Sequence, residues 1–115
     1  MRYLFLLRPG EHRQMSDDEQ AAMFDKFVAW TESLKTRGQL VAVERLAGDG
    51  HVVRKKRDVV VVDGPYAEMR ELVSGLFVVD AASLADAHRI AGECPILAVG
   101  GSVEVREFGD FPIKP

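Results

Sequence analysis

The chain has 115 residues, 47% of them hydrophobic and 29% charged, with 15 basic against 18 acidic side chains and a formal net charge of −3. It is long enough for one domain with a real core, and its composition excludes a disordered or fibrous protein. The acidic balance argues against nucleic-acid binding, which needs a basic footprint, and no segment approaches membrane-spanning length.

Arg2-Tyr3-Leu4-Phe5-Leu6-Leu7-Arg8 predicts a first strand, apolar on both faces and closed by Pro9-Gly10. Its apolar run is too short for a secretory signal and is followed by Arg8, Glu11, His12 and Arg13. Ser16-Asp17-Asp18-Glu19 has the capping-box pattern, so a helix starts there. Met23, Phe27, Trp30 and Leu34 form its apolar stripe, and it ends near Arg37 with Gly38 as the C-cap. Phe24 and Val28 fall off that stripe, open to a neighbouring element or to solvent.

Residues 40–46 predict a second strand, followed by the turn Gly48-Asp49-Gly50. Residues 51–56 and 59–62 then read as a hairpin around Arg57-Asp58. Successive strand side chains point to opposite faces, so Val59-Val60-Val61-Val62 predicts burial above and below. After the turn Asp63-Gly64-Pro65-Tyr66, residues 67–73 read as a short helical or irregular excursion and residues 75–79 as another apolar strand. Ser83-Leu84-Ala85-Asp86 caps a second helix whose buried face is Leu84, Ala87, Ile90, Ala91 and Cys94, stopped by Pro95. Residues 102–108 alternate as a half-exposed last strand.

This order predicts a single α+β domain over residues 1–115, ferredoxin-like βαββαβ with an inserted β-hairpin. Both helices then cover one sheet face, leaving the other apolar face in need of a lid. An identical subunit is the simplest one, so the expectation is a homodimer whose two sheets face each other in a barrel-like arrangement. The single cysteine, Cys94, cannot form an internal disulfide, which suits a reducing cytoplasm.

Asp63-Gly64-Pro65-Tyr66-Ala67-Glu68, followed by Arg70-Glu71 and Gly75, resembles the DGPF group of YCII-related proteins. Glu93-Cys94-Pro95 and residues 100–106 resemble that group's closing segment, so the resemblance covers nearly the whole chain. It implies a dimeric α/β barrel and a biochemical role that is largely undefined, with some relatives associated with extracytoplasmic-function sigma factors. The YCII branch has been proposed to use a histidine and an aspartate. Phe27 stands where that histidine would be and Cys94 where the aspartate would be, so the dyad is not carried over. Tyr66 in place of phenylalanine, and Arg70 where lysine is frequent, depart less.

Asp63, Tyr66, Glu68 and Arg70 are the candidate ligand-binding residues, a carboxylate, a phenol and a guanidinium able to meet a small polar ligand at a cleft mouth. Turn chemistry is the simpler account of Asp63, with Pro65 biasing Gly64 toward an extended backbone, and a local ion pair is the competing account of Arg70. Arg54-Lys55-Lys56-Arg57 reads as a solvated hairpin tip. His12, His51 and His88 are too dispersed for a metal site, and His88 reads as a partly buried helix-border residue. Cys94 reads as a buried packing residue. Gly100-Gly101-Ser102 precedes a strand and reads as a bend, lacking the helix that a phosphate cradle needs.

No metal and no cofactor are expected. The expected function is that of a small-molecule-binding homodimer, with catalysis undecided and no reaction identified. The alternative is a non-catalytic regulatory or protein-interaction module associated with sigma-factor-dependent transcription.

Overall fold

The computed structural model describes residues 1–10, 15–47, 50–64 and 72–109. The order is β1 (Arg2–Arg8), α1 (Asp17–Thr36), β2 (Leu40–Arg45), β3 (Val52–Lys56), β4 (Val59–Asp63), β5 (Gly75–Asp80), α2 (Leu84–Ala91), a 3₁₀ helix (Pro95–Val99) and β6 (Ser102–Glu107). Four strands form one antiparallel sheet in the order β2-β5-β1-β6, and β3 and β4 form a separate two-stranded sheet. Most of residues 67–73, read from sequence as an excursion, lie outside the described residues.

Local chemistry sets the helix ends. The Glu19 backbone N–H donates to Ser16 Oγ at 3.2 Å and the Ser16 N–H donates to Glu19 Oε1 at 3.2 Å, a complete capping box. Arg37 is the C-cap, and Gly38 follows at φ +70°, a conformation favouring glycine. Ser83 Oγ caps α2 by accepting from the Asp86 N–H at 3.1 Å. Leu84, expected on the buried face, is 46% exposed; as the first helical residue it sits ahead of the turn where Ala87, Ile90 and Ala91 meet the sheet. His88 is exposed too, not partly buried.

The core lies between the sheet and the helices. Tyr3, Phe5 and Leu7 of β1 and Phe77 and Val79 of β5 share one face, where Trp30, Leu34, Ala87, Ile90 and Ile96 cover them. The opposite face carries Leu4 and Leu6 beside Val78 and Leu76, all half-buried. Arg2–Asp80 at 3.1 Å, Arg8–Glu104 at 3.2 Å and Arg106–Glu104 at 2.6 Å rim that apolar patch with charge.

Two expectations about the architecture are corrected as well. The barrel is the first: β2 and β6 are the edges of the larger sheet and do not pair with each other, so among the described residues no sheet closes. Closure requires the edge strands to meet with a fixed stagger, and the two extra strands pair with one another instead of bridging the gap. The architecture is an open α+β arrangement of two sheets and two helices, and the dimeric α/β barrel implied by the resemblance does not describe it.

The second correction is the fate of the four valines. Val59, Val60 and Val62 are 62%, 57% and 59% exposed, and Val61 is intermediate. Arg57 and Asp58 both take positive φ, +52° and +64°, which is the turn whose twist matches a two-residue hairpin. The hairpin closes on itself, and among the described residues no other element covers its faces. The molecule is expanded, with a radius of gyration of 16.3 Å. A compact domain of this length has about 13 Å.

Candidate functional site

Of the four residues nominated from sequence, only Asp63 falls within the described residues; Tyr66, Glu68 and Arg70 lie outside them. Asp63 ends β4, and its Oδ2 accepts from Arg54 Nε at 2.7 Å across the hairpin, with both side chains well exposed. Such a surface pair contributes about 0–1 kcal/mol. Gly64 departs from the extended backbone expected before proline. Its φ is +121°, and a Cβ there would lie 2.8 Å from the Gly50 carbonyl oxygen, so only glycine lets the chain leave the hairpin so close to its start.

An open cleft lies elsewhere. Helix α1 is pinned to the sheet by its C-terminal half, where Trp30 and Leu34 are buried, whereas Met23 and Phe27 nearer its start are half-buried and Phe24 and Val28 are exposed. The N-terminal half stands off the sheet, and an open cleft of about 1050 Å³ results. Phe27 of α1, Val43 of β2 and Phe77 of β5 form its apolar floor, with Ile96 and Val99 at one end and Phe24 and Val28 at its lip. Val43 and Phe77 are cross-strand partners, so they point to the same side. Phe77 is braced from behind by Trp30, ring centroids 4.6 Å apart, and Trp30 meets Phe27 edge-on at 6.4 Å.

Polar groups are few and peripheral. The Thr31 hydroxyl donates to the Phe27 carbonyl at 2.7 Å and the Ser74 hydroxyl to the Leu7 carbonyl at 3.2 Å, so both donors are turned onto backbone. Asp17, Glu32 and Glu44 bring carboxylates to the margin and Arg45 brings one cation. No histidine or cysteine lines the cleft among the described residues. The cleft therefore combines an apolar floor with polar groups at its edge, and among the described residues it sets no histidine or cysteine beside the lining carboxylates.

A second polar constellation joins the two helices. Glu93 accepts from Trp30 Nε1 at 3.2 Å, from Arg37 at 2.7 and 3.2 Å and from Arg89 at 3.3 Å. Arg89 also donates to Asp86 at 2.7 and 3.0 Å. The Arg37 hydrogen bond, aided by Trp30, holds the Glu93 carboxyl below its usual pKa, and Arg89 does the same for Asp86. This network fixes Trp30, and through it the cleft floor. No local pattern signals it, because Glu93 lies far along the chain from Trp30 and Arg37; the one available hint is that a buried indole N–H requires an acceptor.

Cys94 is buried, and burial pushes its thiol up to about 11, which excludes a ready thiolate. Among the described residues no group of three histidine, cysteine or acidic side chains could hold a metal ion. Among the described residues no helix is long and apolar enough to cross a membrane.

Comparison with known proteins places this architecture. The model of the YCII-related domain matches residues 1–111, and the chain belongs to that family. No curated protein matches it. Among solved structures it is similar to 5-chloro-2-hydroxyhydroquinone dehydrochlorinase from Burkholderia phenoliruptrix AC1100 in complex with 2,5-dihydroxybenzoquinone, with a TM-score of 0.57 and 14% identity. The match covers 95% of this chain and 94% of that one, and at this identity it shows a shared fold.

Proposed function

We propose that this YCII-related protein is a cytoplasmic homodimer that binds a small, flat, largely apolar molecule in the cleft between α1 and the sheet. The observation that carries the proposal is the open cleft of about 1050 Å³, with Phe27 and Phe77 along its floor and a few charged groups at its edge. This is the usual composition of a small-molecule site. The dehydrochlorinase of similar fold was solved with a quinone of that general shape, which makes 2,5-dihydroxybenzoquinone the natural first probe. Phe27 stands where the resemblance places the YCII branch's histidine, so the cleft offers a hydrocarbon ring at that point, and the reading is one of binding.

The homodimer rests on surface area. The protomer exposes 8262 Å². A folded monomer of this mass exposes about 6200 Å², so roughly 2000 Å² per protomer, or about 4000 Å² for a pair, is in excess, within the total that obligate homodimer interfaces bury.

Thermal denaturation with 2,5-dihydroxybenzoquinone and a panel of small aromatic compounds tests the site. A ligand at about 100 times its Kd adds about 2.7 kcal/mol of apparent stability. Val43→Arg, at a half-open position on the cleft floor, is expected to abolish that gain while leaving the unliganded protein folded. A panel with no stabilising compound, or a gain that survives Val43→Arg, contradicts the proposal. The exposed hairpin also suits the second role, an interaction module in sigma-factor-dependent transcription; a dimer that already covers the hairpin removes the surface on which that role depends.

A further inference from the structure

We infer that the β3–β4 hairpin of one copy docks on the lip of the α1 cleft of a second copy and roofs it, so that each ligand pocket is built from two chains. The inference rests on the homodimeric, small-molecule-binding reading above and assigns its interface.

Register divides the hairpin into two unlike faces. The pairs Val53–Val62 and Lys55–Val60 share one face, whereas Arg54–Val61, Lys56–Val59 and Val52–Asp63 share the other. The first face is the more apolar, with Val53, Val60 and Val62 all more than half exposed. The second carries the Arg54–Asp63 ion pair and is the natural solvent side. A lone two-stranded hairpin is marginal in water, so a ribbon this apolar needs a surface to lie on. None of the described elements of its own chain supplies one.

The cleft supplies the complement. Phe24, 65% exposed, and Val28, 44% exposed, lie one helical turn apart on α1 and form an apolar lip of about the same length as the valine face. Charge matches as well: the hairpin tip carries Lys55, Lys56 and Arg57, while the cleft margin carries Asp17, Glu32 and Glu44, with Asp18 beside them at the helix start. Because each copy owns one hairpin and one lip, a two-fold pair satisfies both contacts and closes, leaving no open end for polymerisation. The roughly 2000 Å² of excess surface per protomer is sufficient for such an exchange.

Sedimentation of two variants and their mixture tests this. Val60→Glu with Val62→Glu breaks the hairpin face, and Phe24→Glu with Val28→Glu breaks the lip; all four positions are exposed, and circular dichroism is expected to match the parent. The parent is expected to sediment as a dimer and each variant as a monomer. Mixed one to one, the variants are expected to form a heterodimer, because an intact hairpin from one chain still meets an intact lip on the other. Val60→Thr with Val62→Thr, which keeps the β-branched shape, is expected to weaken the dimer by about tenfold or more. If the parent dimerises but the hairpin variant does too, or the monomeric variants fail to pair on mixing, the hairpin assignment is wrong while the dimer stands. A monomeric parent overturns both.

Discussion

Strands β1 and β4 look alike as text, Leu4-Phe5-Leu6-Leu7 against Val59-Val60-Val61-Val62, and end in opposite surroundings. β1 is central, bonded on both sides, with Tyr3, Phe5 and Leu7 buried beneath the helices. β4 has one neighbour and shows most of its valines to solvent. Hydrophobic residues on both faces of a strand state a demand for cover, and they do not state whether the chain itself or another molecule meets it. Within this protomer the demand is met at β1's helix face, half met at Leu4 and Leu6, and unmet at the hairpin.

Truncation is the sharpest way to probe that contrast. Phe5→Ala, in the fully buried centre, is expected to cost about 3–5 kcal/mol of stability in a denaturant titration. Ser16→Ala removes a cap whose hydroxyl serves the Glu19 N–H and is expected to cost about 1 kcal/mol in the same titration, placing α1 between the extremes. Glu93→Gln loses charge while keeping an acceptor for Trp30, and about 1 kcal/mol is expected.

Glu93→Gln also has a pH signature. The folded-state pKa of Glu93 is depressed by its Arg37 hydrogen bond, so its contribution is present above the unfolded pKa and is lost as pH falls through the folded value. Stability measured at descending pH is therefore expected to fall less steeply in Glu93→Gln than in the parent once below the ordinary carboxylate range. The smallest effect belongs to the hairpin: Val60→Thr is expected to change the stability of the isolated protomer, measured by dilute denaturant titration, by no more than about 0.5 kcal/mol. A loss there as large as that of Phe5→Ala would erase the distinction between the two strands.

The helix boundaries were legible in sequence because their chemistry is local: Ser16 with Glu19, Gly38 after Arg37, and Ser83 ahead of Asp86 all act within a few residues. Strand positions were legible for the same reason, and the Arg57-Asp58 turn fell where expected. The open sheet was not, because closure depends on how the edge strands β2 and β6 lie relative to each other. The cleft was not either: Phe27, Val43 and Phe77 come from three elements, and the gap between them exists because α1 is buried at Trp30 and Leu34 and lifts away toward its start. Asp63 was singled out for its turn motif; it ends β4, pairs with Arg54 and is followed by Gly64 at positive φ, while Pro65 and Tyr66 of that motif lie outside the described residues.

Amide hydrogen exchange of β3 and β4, followed as a function of protein concentration, bears most directly on where the hairpin's cover comes from. Protection of residues 52–63 is expected to rise steeply as concentration increases through the dimerisation range, while the amides of β1 stay protected throughout. Hairpin protection that is the same at every concentration would show that the valines need no second copy, and the account would fail.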